Sequence, residues 1–428
     1  MKESSTNLFS RRFLALLLLG ISSGLPLALS GDLLSAWLTD AGFDTRKIGS
    51  IGLIGLPYAC KVIWSPLADR FSLPFLGRRR GWMAATQILL IAAISVLARC
   101  DPKTSLPFLV LAATAVAFLS ASQDIVIDAW RADVLEPSER GPGAAVSVCG
   151  YRVGMIASGA GGLILVGRFH LSWQTACQWT AAGMGVGLVG TFLASEGKQV
   201  FAGALGAMRS HRPTSLKQAV VDPLRDLLLR RNGWVILVFV LVFKLPESIA
   251  NAMSIPFLLQ IKFRPDQIGA VRQGLGVALT ILGTLAGGGI VRRFGVWKSL
   301  WLFGVLHSVS NLAFVAMAES GPSYGMLVAV IAVENVCIGL TTAGFTAWMI
   351  GQCDARFSAF QFALLSGIMA LGRQLAGPLS GQMAHALPWP AFFGASALLG
   401  IPGLLLLPWI GPEEPLHLPL VVEETLSA

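Results

Sequence analysis

The stretch LPFLVLAATAVAFLSASQDIVIDA, residues 106–129, is long and apolar enough to cross a bilayer, yet it carries two carboxylates, Asp124 and Asp128. A spanning helix needs about 20 predominantly apolar residues. A charge set inside one requires a partner or a water-filled cavity. This segment therefore implies two things: a chain solvated by lipid, and a chemistry concentrated in a few charges held at membrane depth.

The whole sequence has the same character. Of 428 residues only 13% are charged and 54% are hydrophobic, with a mean hydropathy of +0.68. A soluble domain clothes its surface with roughly 25% charged residues. The 47 glycines and 22 prolines suit membrane helices, where small residues allow close approach and proline kinks are re-satisfied locally. The six cysteines (Cys60, Cys100, Cys149, Cys177, Cys337 and Cys353) are scattered without a C-x-x-C pair, which argues against a disulfide framework or a zinc site. Arg11-Arg12 followed by an apolar run and Ala28-Leu29-Ser30 has the outline of a secretory signal. The apolar character continues through Trp37, so an uncleaved first helix is expected.

Apolar runs place spans near 12–38, 48–68, 82–99, 106–129, 143–167 and 173–195, and again near 233–259, 268–290, 298–318, 324–349, 358–386 and 391–410. The reading is an all-α membrane protein of about twelve transmembrane helices in two six-helix halves, 1–195 and 233–410. A basic linker, 196–232, joins them and a tail, 411–428, follows. Two pseudo-repeated halves are a common transporter plan. With both termini inside, about 20 of the 32 basic residues fall on the cytoplasmic side and about seven on the other, the bias that orients membrane proteins. The net charge of +9 is thus a topology signal rather than a nucleic-acid patch.

Ten charges fall inside spans: Asp32, Lys61, Asp124, Asp128, Arg152, Lys244, Glu247, Arg272, Glu334 and Arg373. Asp124 and Asp128, four apart, share a helix face, and their repulsion is relieved when one takes up a proton, so this pair is the candidate proton-coupling site. Asp128 lies near the cytoplasmic end and has a second possible partner in Arg131 or the Arg78–Arg80 cluster. Lys61 and Arg152 are candidates to neutralise Asp124 or to hold an anionic substrate. Lys244 and Glu247 are three apart across Pro246, which should bend span 7. Gln123, Tyr151, Asn335, Gln361 and Arg373 complete the candidate substrate-binding set. Arg272 reads as a snorkelling end residue and His307 as a core histidine. No nucleophile with a base, phosphate loop or metal cluster is seen, so the chain is not expected to be an enzyme or to need a cofactor.

Span 2 ends in Asp69-Arg70 before Gly77-Arg78-Arg79-Arg80-Gly81, and span 8 ends in Arg292-Arg293-Phe294-Gly295. A carboxylate at a helix end beside an arginine cluster makes a clasp between neighbouring helices, and Asp69, Arg70, Arg78, Arg79 and Arg80 are the candidate gate. This pattern resembles the loop signature of the major facilitator superfamily, departing from it in Ser65 at the leading glycine and in four extra residues between Asp-Arg and Gly-Arg-Arg. Further strings are Gly24-Leu25-Pro26-Leu27-Ala28-Leu29, Ala121-Ser122-Gln123-Asp124-Ile125-Val126-Ile127-Asp128-Ala129-Trp130, Gly150-Tyr151-Arg152-Val153-Gly154-Met155 and Phe357-Ser358-Ala359-Phe360-Gln361-Phe362. Together they resemble the AmpG family of muropeptide permeases over essentially all twelve spans.

That resemblance implies a major facilitator fold in a bacterial inner membrane. It also implies proton-driven import of N-acetylglucosaminyl-1,6-anhydro-N-acetylmuramyl peptides for peptidoglycan recycling, a route that feeds β-lactamase induction. Expected partners are the muropeptide, protons and the lipid bilayer, with the protein acting as a monomer. The family pattern breaks in two places: Lys244-Leu245-Pro246-Glu247 stands where members often read Lys-Leu-Gly-Asp, and Arg272 precedes Gln273 where a basic residue commonly follows an asparagine. The chain also lacks the extra C-terminal spans of longer relatives. A siderophore permease of the same superfamily is the nearer alternative, and a membrane-embedded sensor the distant one.

Overall fold

The computed structural model describes residues 10–65, 76–135, 139–195, 222–230, 232–353 and 358–410. Among these the chain makes twelve helical passages and no strand. They are α1 (Arg11–Asp40), α2 (45–63), α3 (Arg78–Leu97), α4 (Pro102–Val134), α5 (Arg140–Gly167) and α6 (Trp173–Gly183 with Gly185–Leu193). The second series is α7 (Gly233–Gln260), α8 (Pro265–Phe294), α9 (Val296–Ser320), α10 (Tyr324–Gly351), α11 (Ser358–Ala386) and α12 (Trp389–Ile410). Nine of the described helices are long and apolar enough to cross a membrane on their own. The others, α2, α6 and α11, align with the expected spans 48–68, 173–195 and 358–386. Most of the linker, Asp69, Arg70 and the tail lie outside the described residues; within the linker a short helix, Asp222–Leu229, is seen.

Local chemistry starts and interrupts these helices. Asp101 accepts from the Lys103 backbone N–H at 3.0 Å at the head of α4, and Ser172 accepts from Thr175 at 3.2 Å at the head of α6. Both are side-chain N-caps. Asp44 caps α2; the Arg46 backbone N–H, the Arg46 guanidinium and His385 hold its carboxyl down at about 2. Because that value is depressed, its stabilising contribution is present above about pH 4 and is lost as pH falls through about 2. α7 breaks at Lys244 (φ −93, ψ 0), directly before Pro246, whose missing N–H and ring disfavour a continuous helix. α1 and α8 each contain a π segment, Leu29–Leu33 and Gly269–Leu275. α2 passes twice through 3₁₀ geometry, Ile51–Gly55 and Lys61–Ile63.

Packing follows the small residues. α1 lies against α5, and α8 against α10, with glycines at the crossings. A Cβ placed on Gly24 would come 2.0 Å from the Tyr151 carbonyl, and one on Gly283 would come 2.5 Å from the Val336 carbonyl. Such close approach is how membrane helices gain van der Waals contact in the absence of a hydrophobic driving force. The first and second series meet where α2 packs on α11 and α5 on α8. These contacts gather at the end of the bundle opposite the termini. There Gly49 abuts Gly377 and Gly381, and Gly167 abuts Asp266. Arg264 donates to the Gly167 carbonyl at 3.2 Å, and Asp44 faces His385 at 2.9 Å.

Candidate functional site

Between the two series lies a cavity of about 390 Å³. The broken middle of α7 gives it Lys244, Glu247, Ser248 and Asn251. The π segment of α8 gives Arg272 and Gln273, α10 gives Glu334 and Asn335, and α11 gives Arg373. From the first series Asp32, Arg152 and Met155 complete the wall. A smaller space of about 160 Å³ continues past Asp32 and Asn251 towards Tyr58 and Gln374.

Two ion pairs organise the wall. Lys244 Nζ lies 2.6 Å from Glu247 Oε2 and also donates to Thr342 Oγ1 at 3.3 Å. Arg272 donates to Asp32 Oδ2 at 2.8 Å, tying the second series to the first. Gln273 donates to the same carboxylate oxygen and Arg272 to Asn251. Asn335 is fixed by Thr280, which donates to its Oδ1 at 3.0 Å, and by its own bond to the Ile331 carbonyl at 2.8 Å. Among the described residues, Arg152 and Arg373 have no carboxylate within ion-pair distance, so two cations face the cavity uncommitted. An anionic, hydroxyl-rich solute fits such a wall: guanidinium and ammonium groups take carboxylates, and amides and hydroxyls take sugar oxygens.

Asp124 lies outside this lining. Its Oδ1 is buried without a hydrogen-bond partner, as are Tyr58 Oη and Ser120 Oγ. The charges of Lys61 and Asp128 reach it, and both Tyr58 and Tyr151 lie within its field. Asp128 is exposed and pairs with Arg131 at 3.0 Å.

Of the residues nominated for substrate, Arg152, Lys244, Glu247, Asn335 and Arg373 line the cavity. Lys61 and Tyr151 are in the Asp124 neighbourhood instead. Gln123 is fully buried and accepts from Ser22 Oγ at 3.4 Å in the core of the first series. Gln361, also fully buried, donates to Asp226 of the short linker helix at 2.9 Å. Of the gate candidates, Arg79 pairs with Asp133 at 2.9 Å, and Arg80 donates to the Thr191 carbonyl at 3.1 Å. Asp69, Arg70 and the Arg78 side chain lie outside the described residues. The expectation that Arg272 snorkels to an interface is corrected: its side chain is 10% exposed and bound to Asp32. Asn251, which the resemblance offers as a partner for sugar oxygens, and the span charges Asp32 and Glu334 also line the cavity; the threonines of α8 and α10 carry no signal in the sequence.

Comparison with known proteins gives a consistent result. The family model of the Major Facilitator Superfamily matches residues 13–321. The chain is 41% identical to the anhydromuropeptide permease of Escherichia coli (strain K12), an alignment covering 92% of this chain and 78% of the relative. It is 33% identical to an uncharacterized protein of Haemophilus influenzae, covering 95% and 96%. Among solved structures, the nucleoside transporter NupG superposes with a TM-score of 0.69 at 12% identity, covering 94% of this chain and all of that one. The inward-open xylose transporter XylE from E. coli gives 0.66, also at 12%, covering 96% and 98%.

Proposed function

The chain belongs to the major facilitator superfamily and, within it, to the family of the anhydromuropeptide permease; from that premise we propose that it imports cell-wall muropeptides, driven by protons. The cargo is N-acetylglucosaminyl-1,6-anhydro-N-acetylmuramyl peptide or its anhydromuramyl peptide. The membrane is the bacterial inner membrane, with both termini cytoplasmic. The observation that carries the reading to this cargo is the cavity wall: Arg152 and Arg373 without carboxylate partners, beside Asn251, Gln273 and Asn335. The cations suit peptide carboxylates and the amides suit sugar oxygens.

In this reading the halves 1–195 and 233–410 rock about the cavity. The linker 196–232 lies on the cytoplasmic side, as does the tail 411–428. The α2–α11 and α5–α8 contacts form the periplasmic closure in this reading. Asp124 carries the coupling proton, with Asp128 and Lys61 setting its field. The cytoplasmic clasp consists of Asp69, Arg70, Arg78, Arg79 and Arg80, with Asp133 joining Arg79. Uptake of labelled anhydromuropeptide into inverted-free, right-side-out vesicles under an inward proton gradient tests the whole. Accumulation that collapses with an uncoupler is expected, and accumulation indifferent to it would overturn the coupling. A ferric chelate that displaces bound muropeptide at lower concentration than muropeptide itself would move the assignment to siderophore transport.

A further inference from the structure

His307 sits in the middle of α9 and is 4% exposed, and neither ring nitrogen has a hydrogen-bond partner. A neutral imidazole offers one donor and one acceptor, and buried polar groups are normally paired. An imidazole orphaned at both nitrogens points to a partner present in another state of the molecule. Its neighbourhood supplies one. α9 packs on α7 and α12 beside it: Gly304 abuts Phe243, and Ser308 abuts Gly400, itself near Pro246. The charges of Glu247 and Lys244 both reach the ring. Glu247 thus lines the cavity and also lies within electrostatic reach of the histidine.

We propose that His307 is a second proton-binding site, loaded when a substrate carboxylate takes Lys244 away from Glu247. The charges balance only with the proton. In the state described, Lys244 and Glu247 neutralise each other at 2.6 Å, and the imidazole, with no acceptor at either nitrogen, starts the proposed cycle uncharged. An arriving carboxylate pairs with Lys244 and leaves Glu247 as a buried, unpaired anion, which is strongly disfavoured. A proton entering from the bulk as hydronium through the cavity passes to His307, leaving water behind; the ring becomes an imidazolium, and Glu247 turns to it. One negative charge and one positive charge have then entered together, and no bond other than N–H has formed.

Other charged or titratable groups face this site, and Glu334, whose charge couples to Glu247, is the competing proton acceptor. From α10 come Glu334 and Cys337, the latter donating to the Leu306 carbonyl at 3.8 Å. From α11 Arg373 acts on Glu247, and from α8 Arg272 acts on Glu334. α12 has no titratable side chain; it offers Ser396, which accepts from Asn311 one turn along α9 at 3.2 Å.

The proposal deepens the transport reading, but its decisive test needs no cargo. Histidine-labelled protein in lipid nanodiscs reports ring nitrogen shifts by NMR, and His307→Gln identifies its signal among the five histidines. The wild-type ring is expected to be neutral near neutral pH. Lys244→Met, which frees Glu247, is expected to convert it to imidazolium, and Lys244→Met with Glu247→Gln to return it to neutral. A ring that stays neutral in Lys244→Met, or is charged in the double variant, overturns the proposal. If Lys244→Met does not remain monodisperse, Lys244→Gln takes its place with the same expectations. In a second arm, adding an anhydromuramyl peptide to the wild type should charge the ring with uptake of one proton, lost in His307→Gln. Failure of the peptide to bind the wild type at all would count against the cargo assignment, while the Lys244 arm still decides His307.

Discussion

Asp124 in the first half and Glu247 in the second are buried carboxylates held in opposite ways. In the first, Asp124 keeps an oxygen without any partner, and its nearby cation, Lys61, acts only through the field. In the second, Glu247 is clamped by Lys244 at 2.6 Å. An uncommitted carboxylate exchanges a proton at the cost of that proton alone. A clamped one must first lose its cation, so its protonation state follows whatever competes for Lys244. The half with the free acid is therefore suited to energy coupling, and the half with the ion pair to sensing an anionic cargo.

Asp124→Asn breaks the comparison at its strongest point. A proton moving through about 100 mV delivers about 2.3 kcal/mol, a roughly 40-fold concentration ratio at 1.4 kcal/mol per decade. The variant should lose that ratio while still exchanging labelled for unlabelled substrate at equal concentrations. Concentrative uptake at the wild-type level would remove Asp124 from the coupling step. Next in size is Lys244→Met, which leaves Glu247 without its cation. A drop of about 2–3 kcal/mol in unfolding free energy is expected, below the 3–5 of a pair sealed from water because this one borders a cavity and a protonated His307 takes over part of the cation's role. Lys244→Met with Glu247→Gln should recover most of it in thermal denaturation. Equal losses in single and double variants would mean that the pair contributes by packing and not by charge.

Much of this contrast was legible before any fold was known, because charges in apolar runs are conspicuous. Arg152, Lys244, Glu247 and Arg373 stand out for that reason, Asn335 as an amide beside the charged Glu334, and all five line one cavity. What periodicity cannot convey is which way an amide points. Gln123 and Gln361 occupy the same kind of sequence context as Asn335, yet both are buried away from the cavity, on Ser22 and Asp226. Arg272 was misjudged for a different reason. It lies within a π segment, Gly269–Leu275, where an extra residue per turn shifts every later side chain by about 100° relative to an α-helix. That shift lets Arg272 and Gln273 meet Asp32, itself in the π segment of α1. Asp128 takes the second partner that the sequence offered, Arg131, near its helix end, while its charge still acts on Asp124.

The smallest expected effects separate contacts within a half from contacts between halves. A Cβ on Gly24 would meet the Tyr151 carbonyl at 2.0 Å, and one on Gly49 would meet the Gly377 carbonyl at 2.4 Å. Overpacking of this kind costs about 1–3 kcal/mol. In Gly24→Ala the cost falls on α1 against α5, a contact within one half that rocking leaves in place. It should lower thermal stability without moving the conformational equilibrium. In Gly49→Ala the cost falls only on the conformer in which α2 and α11 are closed. At 1.4 kcal/mol per decade, the equilibrium should shift by about fivefold to a hundredfold towards the opposite state. Distances between spin labels on the 41–44 and 387–388 loops would show it as growth of a longer-distance population. Gly31→Ala is the control: it sits in the same region, and nothing lies within 4 Å of its added methyl, so both populations and stability should stay within about 0.5 kcal/mol of the wild type. If Gly24→Ala and Gly49→Ala shift the label distances equally, the halves do not move as units, and the contrast between a coupling half and a sensing half loses its mechanical basis.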